Sequence, residues 1–161
     1  MIDKPQIVQT EVRPAAVIRF TIPRHQIRDV MGPGISELLA VVREQGVGPA
    51  GPVFSHHFRM DPGVYDFEIG VPVRGEITPE GRVLRGELPA VTVARTVYHG
   101  PYEGLGAAWL EFDQLIAAEG HTPAPGLWEC YVKGPESTPD PAQWATELNR
   151  PLASVNAGSR T

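Results

Sequence analysis

The sequence predicts an α+β domain built from two pseudo-symmetric copies of a strand–helix–strand–strand unit. Three observations predict it. Short segments recur at spacings of 74 to 79 residues. Apolar residues fall at helical spacing in two stretches. Glycine and proline, seventeen of each, cut the chain into short elements at 31–34, 46–52, 61–63, 99–101 and 122–126.

The elements follow in order. A strand is expected near 6–22, entered through the proline of Arg13-Pro-Ala-Ala-Val-Ile18, and a matching one near 83–98, through Leu88-Pro-Ala-Val-Thr-Val93; the two prolines are 75 residues apart. Ile35, Leu38, Leu39 and Val42 predict a helix near 34–45 that stops at Gly46. Leu105, Trp109, Phe112 and Ile116 predict a second near 101–119, opened by Gly100-Pro101 with proline at its first position and closed by Gly120. After each helix comes a Pro-rich turn and an aromatic-bearing strand. Glu44 to Phe54 and Ala118 to Trp128 match at a spacing of 74. Strands are expected near 52–60 and 64–74 in the first half, and near 126–133 and 143–152 in the second. Phe67-Glu-Ile-Gly-Val-Pro-Val73 matches Thr146-Glu-Leu-Asn-Arg-Pro-Leu152 at a spacing of 79, so the added residues fall near Pro135–Pro141. The halves therefore run over about 6–75 and 83–152. They are expected to form one domain over 1–152, an antiparallel sheet with two main helices and a central groove between pseudo-twofold-related halves. The small, polar tail 153–161 is expected to be flexible.

Composition narrows the function. The 161 residues are 42% hydrophobic and 20% charged, enough for a packed core in one domain. Net charge is −5, pI is near 5.5, and the 14 Lys and Arg are scattered, which argues against a nucleic-acid partner. Cys130 is the single cysteine, so no internal disulfide and no cysteine metal site is expected, and a reduced, cytoplasmic setting follows. The N-terminus lacks the apolar run of a signal peptide, and no stretch has the length of a membrane span. His56 and His57 are adjacent and point opposite ways in a strand, the wrong geometry for joint chelation. With no phosphate-binding glycine motif and no nucleophile elbow either, no metal and no cofactor is expected.

One strand carries chemistry. In Gly-Leu-Trp-Glu-Cys-Tyr-Val-Lys-Gly, residues 126–134, alternation puts Trp128, Cys130 and Val132 on one face and Glu129, Tyr131 and Lys133 on the other. A carboxylate is depleted in strands and is rarely buried alone. It is either a cross-strand ion-pair partner or an edge-exposed carboxylate, or else the floor of a site that selects cations and can act as a base. Tyr131 is either a rim tyrosine of the core or a ligand contact. Tyr98 and Tyr102 bracket the second helix start, and Trp109 lies in that helix's apolar stripe; turn and core packing compete with a role as walls. The 74-residue spacing equates Ser55 with Glu129 and His57 with Tyr131, which puts Ser55 and His57 across the expected groove. Glu68 and Glu147 are equivalent at a spacing of 79, and so read as structural, with Arg19 or Arg95 as partners.

Gly100-Pro-Tyr102, Trp128-Glu-Cys-Tyr131 and Trp144-Ala-Thr-Glu-Leu-Asn-Arg-Pro-Leu152, in that order, resemble the GyrI-like family, the AraC-type effector-binding domains. The resemblance implies duplicated βαββ modules of SHS2 type and a groove for small organic molecules. It implies an acidic residue that meets cationic, lipophilic ligands, at the position of Glu129. Some members resemble hydrolases of cyclopropane-bearing toxins, for which Glu129 and Tyr131 would be catalytic. No helix-turn-helix precedes the fold in this sequence, so the expectation is a stand-alone protein. It would bind an aromatic or cationic, drug-like molecule through Glu129, Tyr131, Tyr102, Trp109, Tyr98, His57 and Ser55. A hydrolase using the same groove is the alternative, and a protein-interaction module the third reading.

Overall fold

The computed structural model describes residues 2–59 and 63–154. Most of the expected flexible tail lies outside the described residues. The chain divides into two compact units. Glu11–Ala90 form one; the residues before Glu11 and after Ala90 form the other. Nine strands and two helices are described, with antiparallel strand pairing within each unit, an α+β fold.

The long opening strand expected in each half is broken in two. β1 (Gln6–Gln9) and β2 (Arg13–Pro23) replace the first, and β5 (Leu84–Leu88) and β6 (Thr92–His99) the second. The leading pieces exchange units: β1 pairs with β6, and β5 with β2. Two features make the breaks. Thr10 and Val91 lock together, with Thr10 N donating to Val91 O at 2.9 Å, Thr10 Oγ1 to the same oxygen at 3.0 Å, and Val91 N to Thr10 Oγ1 at 2.9 Å. Pro89, just before, has no N–H to continue a ladder.

In the unit Glu11–Ala90 the strand order is β3 (Phe54–Arg59), β4 (Val64–Pro72), β2, β5. α1 (Ile27–Glu44) covers one face. Ala16, Ile18 and Phe20 of β2 and Phe67, Ile69 and Val71 of β4 are buried there against Leu38, Val41 and Val42. α1 starts at Ile27 rather than near residue 34 and passes through Pro33. Met31-Gly-Pro-Gly34 looks like a turn in sequence, but Ile27, Val30 and Met31 pack against the core, and that burial carries the helix through. A Cβ on Gly34 would sit 3.0 Å from Ile69 Cδ1 and 3.2 Å from Phe20 Cζ. Glycine there lets the helix close on the sheet.

In the other unit the order is β1, β6, β9 (Ala145–Ser154), β8 (Leu127–Lys133), with β7 (Thr122–Pro123) also on β9. α2 (Leu105–Ala118) follows a 3-10 turn over Tyr102–Gly104. Its Ala108, Phe112 and Ile116 pack on Ala94, Tyr98 and Leu148. Two cross-strand rows define the α2-facing side: Thr96–Leu148–Glu129 and Tyr98–Thr146–Tyr131. The rows Ile18–Ile69–Ser55 and Phe20–Phe67–His57 stand in the same register on the α1-facing side of the first unit.

Candidate functional site

The pleat of β8 aims Glu129 and Tyr131 at the side of the sheet that α2 covers. This is the face predicted to carry chemistry. Trp128 and Cys130 are buried on the opposite face, as expected, but Val132 is 48% exposed. A register shift between Tyr131 and Lys133 ends the alternation there.

Glu129 is the most perturbed carboxylate of the unit. Burial pushes its carboxyl up to about 7, while the indole of Trp109, donating a hydrogen bond to it, pulls the other way. Oε2 is sealed from solvent and has no hydrogen-bond partner among the described residues. An unpaired buried oxygen costs roughly 1–3 kcal/mol, more when charged. Trp109 thus does two jobs. Its ring packs with the α2 core and lies 5.7 Å from Phe112, and its N–H holds one side of Glu129.

An aromatic group stands beside the acid. Tyr102 meets Tyr131 edge-on at 5.9 Å and lies against Trp144 at 4.8 Å. Tyr131 and Trp144 are half-buried, and Tyr102 is 37% exposed. Trp144 is fixed by its indole N–H donating to Thr138 O at 3.0 Å. Burial raises the Tyr102 phenol, and the charges of Glu136 and Glu129 add to the rise. Thr146, fully buried beside Tyr131, has an Oγ1 without a hydrogen-bond partner among the described residues. The same face thus holds two sealed and unsatisfied oxygens, on Glu129 and Thr146, next to three partly exposed rings.

The other expected site residues are placed differently. Tyr98 is buried in the α2 core, and its hydroxyl donates to Pro101 O at 2.8 Å. This bond, with Gly100 at φ +141° and Gly104 pressed against the phenol, shapes the turn that presents Tyr102. Ser55 and His57 lie in the unit Glu11–Ala90, both buried on its α1-facing side. His57 stacks on Phe67 at 4.9 Å and meets Tyr65 edge-on at 5.3 Å. Burial, then the charge of His56, lowers its imidazole to about 4. Glu147 pairs with Arg95 at 3.4 Å, as the repeat predicts for a structural carboxylate. Arg19 turns instead to Asp66 at 2.7 Å, and burial raises Glu68.

Sequence reading missed Trp144, Thr146 and Glu136 as site residues. The first two sit at the entry of β9, where Trp144-Ala-Thr146 places a ring and a hydroxyl in alternation. Glu136 had no sequence signal, because only the fold of the 134–140 loop brings it to Tyr102. Among the described residues no group of three His, Cys, Asp or Glu is placed to hold a metal ion. None of their helices is long and apolar enough to cross a membrane.

Solved structures share this fold at low identity. The C-terminal domain of EcmrR matches with a TM-score of 0.80 at 20% identity, over 94% of this chain and 98% of that one. EcmrR in an EcmrR–DNA complex in EcmrR-RPo matches with a TM-score of 0.81 at 21% identity; 94% of this chain is covered but only 58% of that one. SAV2435 bound to tetraphenylphosphonium matches with a TM-score of 0.67 at 13% identity, over 93% of this chain and 94% of that one. No curated protein matches the sequence. The model of the GyrI-like small molecule binding domain matches residues 3–153, and the chain belongs to that family.

Proposed function

We propose that this domain binds cationic, aromatic small molecules on the α2-facing side of β8, with Glu129 as the charge selector. Tyr131, Tyr102, Trp109 and Trp144 form its walls. The observation that carries the reading is Glu129 Oε2, sealed and unpaired beside three partly exposed rings. A cation over the rings would offset the carboxylate charge through space and gain cation–π attraction of roughly 0.5–2 kcal/mol from them. The cation carried by SAV2435, tetraphenylphosphonium, combines positive charge with aromatic surface in this way. The equal registers of the two units under spacings of 74 and 79 support a duplicated βαββ origin, with halves over about 6–75 and 83–152 of one domain.

The test compares tetraphenylphosphonium with neutral triphenylphosphine oxide by calorimetry at pH 8, for the native protein and Glu129→Gln. Losing a charged partner at a buried oxygen should weaken the cation roughly ten- to hundredfold and leave the neutral compound within twofold. Equal losses for both compounds would remove Glu129 as selector.

A second reading, hydrolysis of an electrophilic compound, is favoured by one feature: a carboxyl raised to about 7 is suited to take a proton from a water that enters with the substrate. Glu129 would be the base and Tyr131 the hydrogen-bond donor. Strained electrophiles recovered unchanged after long incubation with the protein would dismiss it.

A further inference from the structure

The loop that follows β8 carries a second carboxylate to the aromatic group. A Cβ on Gly134 would sit 2.6 Å from the Tyr102 hydroxyl and 2.9 Å from Glu136 Oε2. Both groups therefore crowd onto the same backbone position. Gly134 is buried and has no positive φ, so its missing side chain serves this close approach rather than a turn. The loop is well held. Ser137 N and Oγ both donate to Gly134 O at 2.9 Å, Trp144 Nε1 binds Thr138 O, and Asp140 Oδ1 accepts from Ala142 N at 3.1 Å.

Glu136 is exposed and makes no ion pair among the described residues. The nearby cation, Lys133, lines a shallow depression with Ser137, Thr138 and Gln143 instead. The Tyr131–Tyr102–Trp144 group thus lies near two carboxylates, the sealed one of Glu129 and the exposed one of Glu136 that crowds with the Tyr102 hydroxyl onto Gly134. Tyr102 feels both charges. Thr146 Oγ1, sealed and without a hydrogen-bond partner among the described residues, adds a second polar atom to the same face.

We propose that Glu136 is a second charge-selecting residue and that the preferred ligands are dications, with one cationic group at Glu129, the other at Glu136, and an apolar body across the rings. This rests on the cation-binding reading above and names its ligand class. Glu129 and Tyr131 are about 7 Å apart along the strand, and the ring group extends further, so the two charges of a ligand should be separated by on the order of 10 Å. Glu136 is exposed, so its effect is small and salt-sensitive.

The experiment uses decamethonium, which has a quaternary ammonium at each end, and decyltrimethylammonium, which has one. Affinities are measured by calorimetry at low and high salt for the native protein, Glu136→Gln and Glu129→Gln. The native protein should prefer the dication. Glu136→Gln should weaken decamethonium about three- to fivefold at low salt, change decyltrimethylammonium by less than twofold, and lose its effect at high salt. Glu129→Gln should weaken both. If Glu136→Gln leaves the dication preference intact, or weakens both compounds equally, the dication assignment fails while the Glu129 reading stands. If neither compound binds the native protein, both fail.

Discussion

Glu129 sets function and stability against each other. Unfolded, its carboxyl titrates at 4.5; folded, at about 7. Between those values the folded protein keeps a proton that the unfolded chain has released, so the contribution of Glu129 to stability falls as pH rises through this window. Above about 7 the full cost stands, on the order of 3 kcal/mol. Glu129→Gln removes it. The variant should melt higher than the native protein at pH 8 and equally at pH 4, read by thermal denaturation. Ligand affinity carries the opposite sign. A cation needs the ionised carboxyl, so its affinity should fall by up to about tenfold per pH unit below 7 and level off above it. In Glu129→Gln that dependence should vanish. A variant that gains stability and loses cation binding together would identify Glu129 as a strained group kept for its ligand.

The elements show what the residue pattern could and could not announce. Alternation in β8 placed Glu129 and Tyr131 together on a chemical face, because a strand's period of two depends on nothing outside it. The apolar stripe of α2 announced its core for the same reason. The start of α1 was hidden: glycine and proline at 32–34 are local breakers, and only the packing of Ile27, Val30 and Met31 shows that the helix continues. The breaks after β1 and β5 were hidden too, since the Thr10–Val91 lock joins residues 81 apart. Glu136 reaches Tyr102 only through the folded loop. Pro33 yields a prediction at this scale. Inside α1 it removes a helical N–H and crowds the turn before it, a cost of about 3 kcal/mol, offset by up to about 1 kcal/mol through restriction of the unfolded chain. Pro33→Ala should therefore stabilise the protein by about 2 kcal/mol, seen as a higher denaturant midpoint with an unchanged slope.

Across the whole molecule, buried titrating groups pull stability in two directions. Burial lowers His56 and His57 from 6.5 to about 4, with Arg19 adding to the first and His56 to the second. Below 6.5 the unfolded chain takes up protons that these imidazoles refuse, so stability falls as pH drops from 6.5 towards 4. Glu129 acts in reverse, costing stability as pH climbs from 4.5 to about 7, and the raised carboxyls of Glu68 and Asp113 add to that limb. Where the windows overlap, two imidazoles oppose one strongly shifted carboxyl, and the imidazoles win. Stability should therefore rise from pH 4 to a maximum near 6.5 and then decline. Two substitutions separate the limbs. His57→Phe keeps a ring against Phe67 and removes a buried Nδ1 that has no hydrogen-bond partner among the described residues, so it should flatten the acid limb alone. Glu129→Gln should abolish the upper limb and, because Glu129 opposes the imidazoles between 4.5 and 7, steepen the acid limb. Melting temperatures for the three proteins across pH 4 to 8 decide it. If either substitution shifts the whole curve without changing its shape, burial of that group does not govern the acid–base behaviour of this fold.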